Sequence, residues 1–267
     1  MSDLKKKNII VWDLETSPAL TFTWGLFKQN IDHDYVIEPW TILCAAYKKL
    51  GSKKVHTISV FDEDNKNKKL DYKDDYLLCK KLREVIANAD IIIAHNGNSF
   101  DTKMFNTRLV YHGLEPIPPS VMTVDTMREA RKILRSPSTS MNYLCRYFGI
   151  DEKIHTSKHL WLDIVFPDSP SLARKSAMNK MVKYCAQDIK VNEKLYMKLL
   201  PYMKAHPNLA DANTHNCPKC NSDNTVRNGI KRNRSGLARQ EFKCNGCGSY
   251  FSSRLSEREV GKSLSKL

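Results

Sequence analysis

Three groups of side chains in this 267-residue sequence have types and spacings that could do chemistry. Asp13-Leu14-Glu15 ends an apolar run, so on a strand both carboxylates project from one face. His95-Asn96-Gly97-Asn98-Ser99-Phe100-Asp101 is a polar turn after Ile91–Ala94, with Asp101 at the start of a helix. Tyr184 and Asp188 stand four apart and share one helical face. Each has an ordinary structural reading when taken alone. Acids at strand ends are common, an acid at a helix start complements the dipole, and a polar pair on a helix flank needs no function. Brought together, the four carboxylates would repel one another or be forced to hold protons. Bound divalent cations relieve that better, and the chemistry then within reach is metal-assisted hydrolysis.

A second set is made of cysteines. Cys217-Pro-Lys-Cys220 and Cys244-Asn-Gly-Cys247 form two C-x-x-C knuckles separated by 23 residues. Two knuckles close a tetrahedral set of four thiolates, which suits one structural Zn²⁺ and leaves no open position for catalysis. A redox reading of C-x-x-C fits poorly in so small and polar a segment, and His215 is a spare ligand that four cysteines make unnecessary. Between the knuckles, Lys231, Arg232, Arg234 and Arg239 surround a hairpin tip near Ser235-Gly236. They read either as a solvated loop or as contacts to a polyanion. Phe242, Tyr250 and Phe251 supply either the small core of this segment or a stacking surface.

The elements that must position these groups follow from hydrophobic patterning. Strands are expected over 8–14, 40–47, 55–61 and 91–94, with a turn at Gly51 and a polar surface loop over 62–73. Tyr76, Leu77, Leu82, Val85 and Ile86 recur at helical spacing, and a helix of roughly ten residues starts near Asp101 and stops before Pro116. An extended piece at 121–124 precedes helices near 126–134 and 140–148, and a long amphipathic helix runs from about 171 to 199 until Pro201. The order predicts an α/β domain over 1–203, a linker over 204–215, and a small β-rich zinc ribbon with a basic tail over 216–267. Cys44, Cys79, Cys145 and Cys185 read as buried structural thiols, and His155 and His159 as surface or structural residues. Trp24, Phe27 and Trp40 are candidates for either the core or the wall of a groove.

The order of the three acidic motifs, strand with D-x-E, turn with Asn and Phe-Asp, helix with Y-x-x-x-D, resembles the DEDD exonucleases, and specifically the tyrosine-bearing DEDDy branch. The resemblance covers about residues 8–200, including Asp125-Thr126 and Leu144-Cys145-Arg146-Tyr147-Phe148-Gly149, and extends to the ribonuclease H-like nucleases predicted in bacteria and phages. It implies a ribonuclease H-like mixed sheet flanked by helices, and 3′→5′ hydrolysis of DNA or RNA to nucleoside monophosphates with two Mg²⁺ or Mn²⁺ ions. It further implies that Asp13 bridges both ions, Glu15 and Asp188 hold the ion on the nucleophile side, Asp101 serves the other, and Tyr184 orients the attacking water. The sister branch carries a histidine one residue earlier, where this sequence has Lys183. A structure-specific endonuclease and a non-catalytic nucleic-acid adaptor are the alternatives.

Composition agrees with a nucleic-acid partner. The formal charge is +14, and residues 211–267, with 11 basic and 5 acidic side chains, are the more basic part per residue. Mean hydropathy is −0.49, and no apolar run approaches the ~18 residues of a membrane span. The apolar stretch near the start, Ile9–Trp12, is too short for a signal-peptide core, so a cytoplasmic protein with reduced thiols is expected. There is no G-x-x-x-x-G-K-[ST] loop for a nucleotide second substrate.

Overall fold

The run beginning at Ile9 becomes β1 (Ile9–Thr16), whose residues Ile9–Trp12 are all buried, as expected of a strand covered on both faces. The computed structural model describes residues 7–25, 27, 29–62, 70–150, 159–166, 170–210, 216–232, 234 and 236–252. His155, His215, the end of the expected linker and the basic tail lie outside these residues.

Described residues form two compact units, the larger comprising Asn8–Arg128 and Ser136–Leu195. After β1 come a short ribbon of β2 (Leu20–Thr21) and β3 (Val36–Glu38), then β4 (Ile42–Lys49) and β5 (His56–Ser59). Helix α1 (Tyr76–Ala87) leads to β6 (Ile91–Ala94), α2 (Asp101–Tyr111) to β7 (Met122–Asp125), and then follow α3 (Thr126–Ile133), α4 (Met141–Tyr147), α5 (His159–Val165) and α6 (Ser171–Leu199). The sheet order is β5-β4-β1-β6-β7, with β4 antiparallel to β1 and β6 parallel to it. This mixed sheet flanked by helices is the expected α/β class. The β4–β5 turn also forms where Gly51 predicts it, with φ +79°.

Alternation along β1 sorts the two faces. Trp12 meets Phe105 of α2 edge-on at 5.9 Å, so Trp12 and Leu14 point to the α2 side. Asp13 and Glu15 take the other side, where Cys185 of α6 lies with its Sγ 3.6 Å from the Asp13 carbonyl oxygen. On that same side Lys48, paired in register with Val11, forms a buried ion pair with Glu193 of α6.

One buried ionic cluster ties the layers together. Asp75, fully buried just before α1, accepts from the Ile42 backbone N–H at 2.9 Å and from Arg108 Nε and Nη2 at 2.8 and 2.6 Å. His112 Nε2 lies 2.6 Å from its Oδ1. The start of α1, the start of β4 and the far end of α2 are therefore fixed by one carboxylate. The sequence reading assigns Asp75 no role.

Two elements and three aromatic residues differ from expectation. The β2–β3 ribbon and α5 were not anticipated, because two- and three-residue strands and a seven-residue helix carry too little periodicity. Trp24, Phe27 and Trp40 are exposed, at 85, 88 and 60%, so the core reading of these three fails. Cys44, Cys79, Cys145 and Cys185 are buried, as expected.

The described residues of the smaller unit are Lys7, Glu129–Arg135 and those between Tyr196 and Ser252. Its sheet, ordered β10-β9-β8, is built from β8 (Thr225–Arg232), β9 (Ala238–Cys244) and β10 (Tyr250–Ser252). The described part of 204–215 is packed rather than open. Leu209 is buried with its N–H donating to the Pro218 carbonyl at 2.7 Å, and the Tyr196 hydroxyl lies 2.8 Å from His206 Nε2. Among the described residues no helix is long and apolar enough to cross a membrane.

Candidate active site

The site forms where β1 outruns one of its neighbours. The parallel ladder with β6 ends at Val11↔Ile93, while pairing with antiparallel β4 continues through Asp13↔Ala46 and Glu15↔Cys44. Past Val11 the backbone on the β6 side needs other partners. The Leu14 N–H, between the two acids, donates to Asp101 Oδ1 at 3.1 Å. Asp101 is thus anchored to the strand that carries the other two carboxylates.

The turn that delivers Asp101 depends on Gly97. A Cβ added there would lie 2.4 Å from the Ala94 Cβ, so only glycine lets the chain fold back so tightly at the end of β6. Asn96 takes a left-handed conformation, φ 67°, and Phe100 N donates to its carbonyl at 3.0 Å. The Thr102 N–H then donates to the Gly97 carbonyl at 2.8 Å, hanging the first turn of α2 from that glycine.

Helix α6 supplies the remaining groups. Asp188 is 2% exposed, and one oxygen each of Asp13, Glu15 and Asp188 lie within 4.8 Å of one another. Tyr184, one turn earlier, packs edge-on against Trp161 of α5, whose indole N–H donates to the Thr16 carbonyl at 3.1 Å. A cleft of 340 Å³ is lined by Asp13, Glu15, Asp101, Tyr184 and Asp188, with His95, Asn96 and Phe100 on its rim. All five predicted residues are brought together.

Electrostatics follow from burial. Desolvation pushes the Asp101 carboxyl up to about 7; backbone N–H donors at Asp101 and Leu14 oppose the shift, and the Asp125 charge adds to it. Behind Asp13, the neighbouring Cys44 and full burial hold the Cys185 thiol well above its ordinary range, so it is neutral. Carboxylate oxygens in a converging set are hard ligands suited to Mg²⁺ or Mn²⁺.

The model of the RNase_H superfamily matches residues 48–200, more than half of the chain. The chain belongs to this superfamily. The DNA polymerase III PolC-type of Ureaplasma parvum serovar 3 is 26% identical over 163 residues, 56% of this chain and 10% of that protein. The family B DNA polymerase of the hyperthermophilic archaeon Pyrobaculum calidifontis has 14% identity and a TM-score of 0.46, over 73% of this chain and 25% of that one. The chain therefore spans a tenth and a quarter of the lengths of these two proteins. The matched segment of the RNase_H superfamily domain contains Asp101, Tyr184 and Asp188, whereas β1 precedes it.

In this superfamily member one further acid organises the site without lining the cleft. Asp125, at the end of β7, accepts from the backbone N–H groups of Asn96, Asn98, Met127 and Arg128 at 3.0–3.1 Å. It therefore clamps the Gly97 turn to the first turn of α3. His95 reinforces that clamp, its Nδ1 2.9 Å from Thr126 Oγ1 and its Nε2 donating to the Thr139 carbonyl at 3.1 Å. Sequence reasoning noticed Asp125-Thr126 without giving it a role. An Asp directly before a helix is a capping signal that was available.

The second predicted centre lies within the smaller unit. Cys217, Cys220, Cys244 and Cys247 place their four sulfurs within 4.8 Å of one another, with Cys217–Cys247 and Cys220–Cys244 at 3.6 Å. The two knuckles repeat one geometry. Asn221 N donates to Cys217 O and Gly248 N to Cys244 O, at 2.8 and 2.9 Å, and Cys217 N and Cys244 N donate to Ser222 O and Ser249 O at 2.9 and 2.8 Å. The left-handed position after each knuckle is Gly248 in one and Asn221, φ 58°, in the other. Asn tolerates that conformation, so its presence there in place of Gly is no defect. A closed set of four sulfurs fits a structural zinc site.

The predicted basic residues are only partly brought together. Lys231 faces Arg239 across β8 and β9, whereas Arg232, paired with Ala238, points to the other face. Arg234 lies in the turn between the strands.

Proposed function

We propose that the chain is a metal-dependent 3′→5′ exonuclease of the DEDDy type, hydrolysing phosphodiester bonds of DNA or RNA to release nucleoside monophosphates. The observation that carries this reading is the meeting of Asp13, Glu15 and Asp188 oxygens within 4.8 Å, in a cleft that Asp101 and Tyr184 also line. Membership of the RNase_H superfamily and likeness to a protein named as a DNA polymerase support a nucleic-acid substrate.

Asp13, Glu15, Asp101 and Asp188 would hold two Mg²⁺ or Mn²⁺ ions. When bound, such a pair lowers the pKa of the attacking water and stabilises the leaving 3′-oxygen. The residues of the chain do the rest. Asp101 lines the cleft and is held by the Leu14 N–H, which fixes where its carboxyl stands. Tyr184, braced by Trp161, orients the water by hydrogen bond. Phe100, half exposed on the rim, offers a ring face to the terminal base. The zinc ribbon, through its cations, adds affinity for the polyanion; the domain limits 1–203 and 216–267, with a linker over 204–215, are proposed from the sequence patterning.

The test uses 5′-labelled single- and double-stranded DNA and RNA with Mg²⁺ or Mn²⁺. The expected result is a ladder of shortening labelled products, absent in D13A and D188A and weak in Y184F. Unchanged rates in D13A overturn the metal-site assignment. Discrete internal products indicate an endonuclease, and binding without metal-dependent cleavage indicates an adaptor.

A further inference from the structure

The small sheet of the ribbon has two faces of different make-up. Phe242 and Phe251 stack at 5.5 Å on one side, where Gln240 is buried and Cys244 turns toward the metal ligands. Cross-strand partners share a face, so the register places a different set on the other side. Val226, Lys243 and Tyr250 form one row across all three strands, and Lys231 and Arg239 form a second. Val226 and Tyr250 are 46 and 54% exposed.

This arrangement costs stability in isolation. Lys231 directly opposes Arg239, a like-charge pair that disfavours strand pairing. Lys243 lies on the same face of β9 as Arg239, four residues away and so about 13 Å along the strand. The described acid on this face is Glu241, whose Oε2 accepts from the Asn228 side-chain amide at 2.5 Å. An exposed aromatic, an apolar neighbour and three cations on a flat β-surface match an unpaired nucleic-acid strand, with phosphates on the cations and a base on the ring.

We propose that this face, Lys231, Arg239, Lys243, Val226 and Tyr250, is a binding platform for a single strand, with Tyr250 stacking on a base. The proposal refines the ribbon's role in the exonuclease reading and assigns two residues, Lys243 and Tyr250, in place of Arg232 and Arg234. It also separates the three aromatics: Phe242 and Phe251 are half-buried and stacked on each other, whereas Tyr250 is exposed on the other face.

The test is fluorescence anisotropy on the full chain carrying D13A, with zinc content checked, using labelled oligo-deoxythymidine and a duplex of equal length across a salt series. Added Y250A should weaken single-strand binding about five-fold or more, and Y250W should retain it. R239Q and K243Q should each reduce the slope of log affinity against log salt by about 0.7. R227Q and R232Q, on the opposite face, should change neither. Wild-type affinity in Y250A and K243Q, losses as large in R227Q and R232Q, or tighter duplex binding indifferent to Tyr250 would each overturn the platform. Binding is read apart from turnover. A chain with Asp13 intact that binds through this face but never cuts refutes the exonuclease and leaves the platform standing, whereas cutting with binding indifferent to the face does the reverse.

Discussion

Replacing Gly97 by Ala isolates the geometry of the site from its chemistry. The added methyl would lie 2.4 Å from the Ala94 Cβ, where ordinary carbon contacts are ~3.5–4.0 Å. No positive φ is required at Gly97, so the clash is the whole cost. Ala94 is on β6 and cannot retreat without moving the sheet, so the turn must shift by about 1 Å. Because the Thr102 N–H hangs from the Gly97 carbonyl, that shift passes directly to the start of α2 and to Asp101. Misplacing a catalytic group by ~1 Å costs on the order of 100-fold in rate, whereas overpacking costs about 1–3 kcal/mol, which leaves the chain folded. Single-turnover cleavage of a labelled strand at saturating Mg²⁺ should therefore fall about 100-fold in G97A, with a modest drop in urea midpoint. The compensating variant is decisive. With Ala94 also changed to Gly, the next contacts of the new methyl are the Ala94 Cα at 3.5 Å and carbonyl carbon at 3.8 Å, both ordinary. A94G/G97A should recover most of the rate, although A94G alone costs ~0.5–1 kcal/mol in a strand. Wild-type rate in G97A, or a double variant as slow as G97A, would refute the reasoning.

Three further outcomes can be checked. R108M leaves the buried Asp75 carboxylate without its guanidinium and should cost about 3–5 kcal/mol in urea unfolding; a loss below ~1 kcal/mol would show that Asp75 does not lock the layers. Burial holds the His206 pKa below its ordinary value, so its contribution to stability is full above pH ~6.5 and is lost as pH falls through the lowered value. The thermal midpoint of H206Q should consequently vary less than wild type between neutral and acidic pH, and identical pH profiles would contradict that. Metal analysis of the purified chain should give one zinc per chain, and C247S should lose it together with protection of the β8–β9 amides from hydrogen exchange, whereas retained zinc would point to a ligand outside the four cysteines.

The elements that were legible were those with long periodic patterns. Ile9–Trp12, Ile91–Ala94 and the length of α6 stand out because burial on one or both faces imposes a run or a 3- to 4-residue period. The five site residues were legible by type and order. Their convergence was implied only by the family resemblance and not by spacing, because Asp13 and Asp188 are far apart in sequence and meet through the α6 packing. The role of Asp75 and the full reach of Asp125 were not legible for a different reason. Each is a single acid whose partners, Arg108 and His112 for one and four backbone N–H groups for the other, are defined only after the strands are in order. The facing of the basic residues depended on a register shift between Arg227 and Ile230, and bulges of that kind leave little trace in composition.

The position of the acids follows from the topology. Among the described strands, β1 alone has an antiparallel neighbour on one side and a parallel neighbour on the other. On the β4 side the chain remains paired through Glu15; on the β6 side it is released after Val11, and β6 turns away into Gly97 and α2. A crevice thus opens at the carboxyl ends of two adjacent strands, the place where open α/β sheets bind ligands. The backbone freed there is also useful, since the Leu14 N–H, without a β6 partner, fixes Asp101. Acids at this end of β1 therefore sit at a boundary, with one face closed by α6 and the other side reached through the gap. Moving the D-x-E pair one residue along β1 would turn both carboxylates into the face occupied by Phe105, so the period-2 register of this single strand decides whether the site exists.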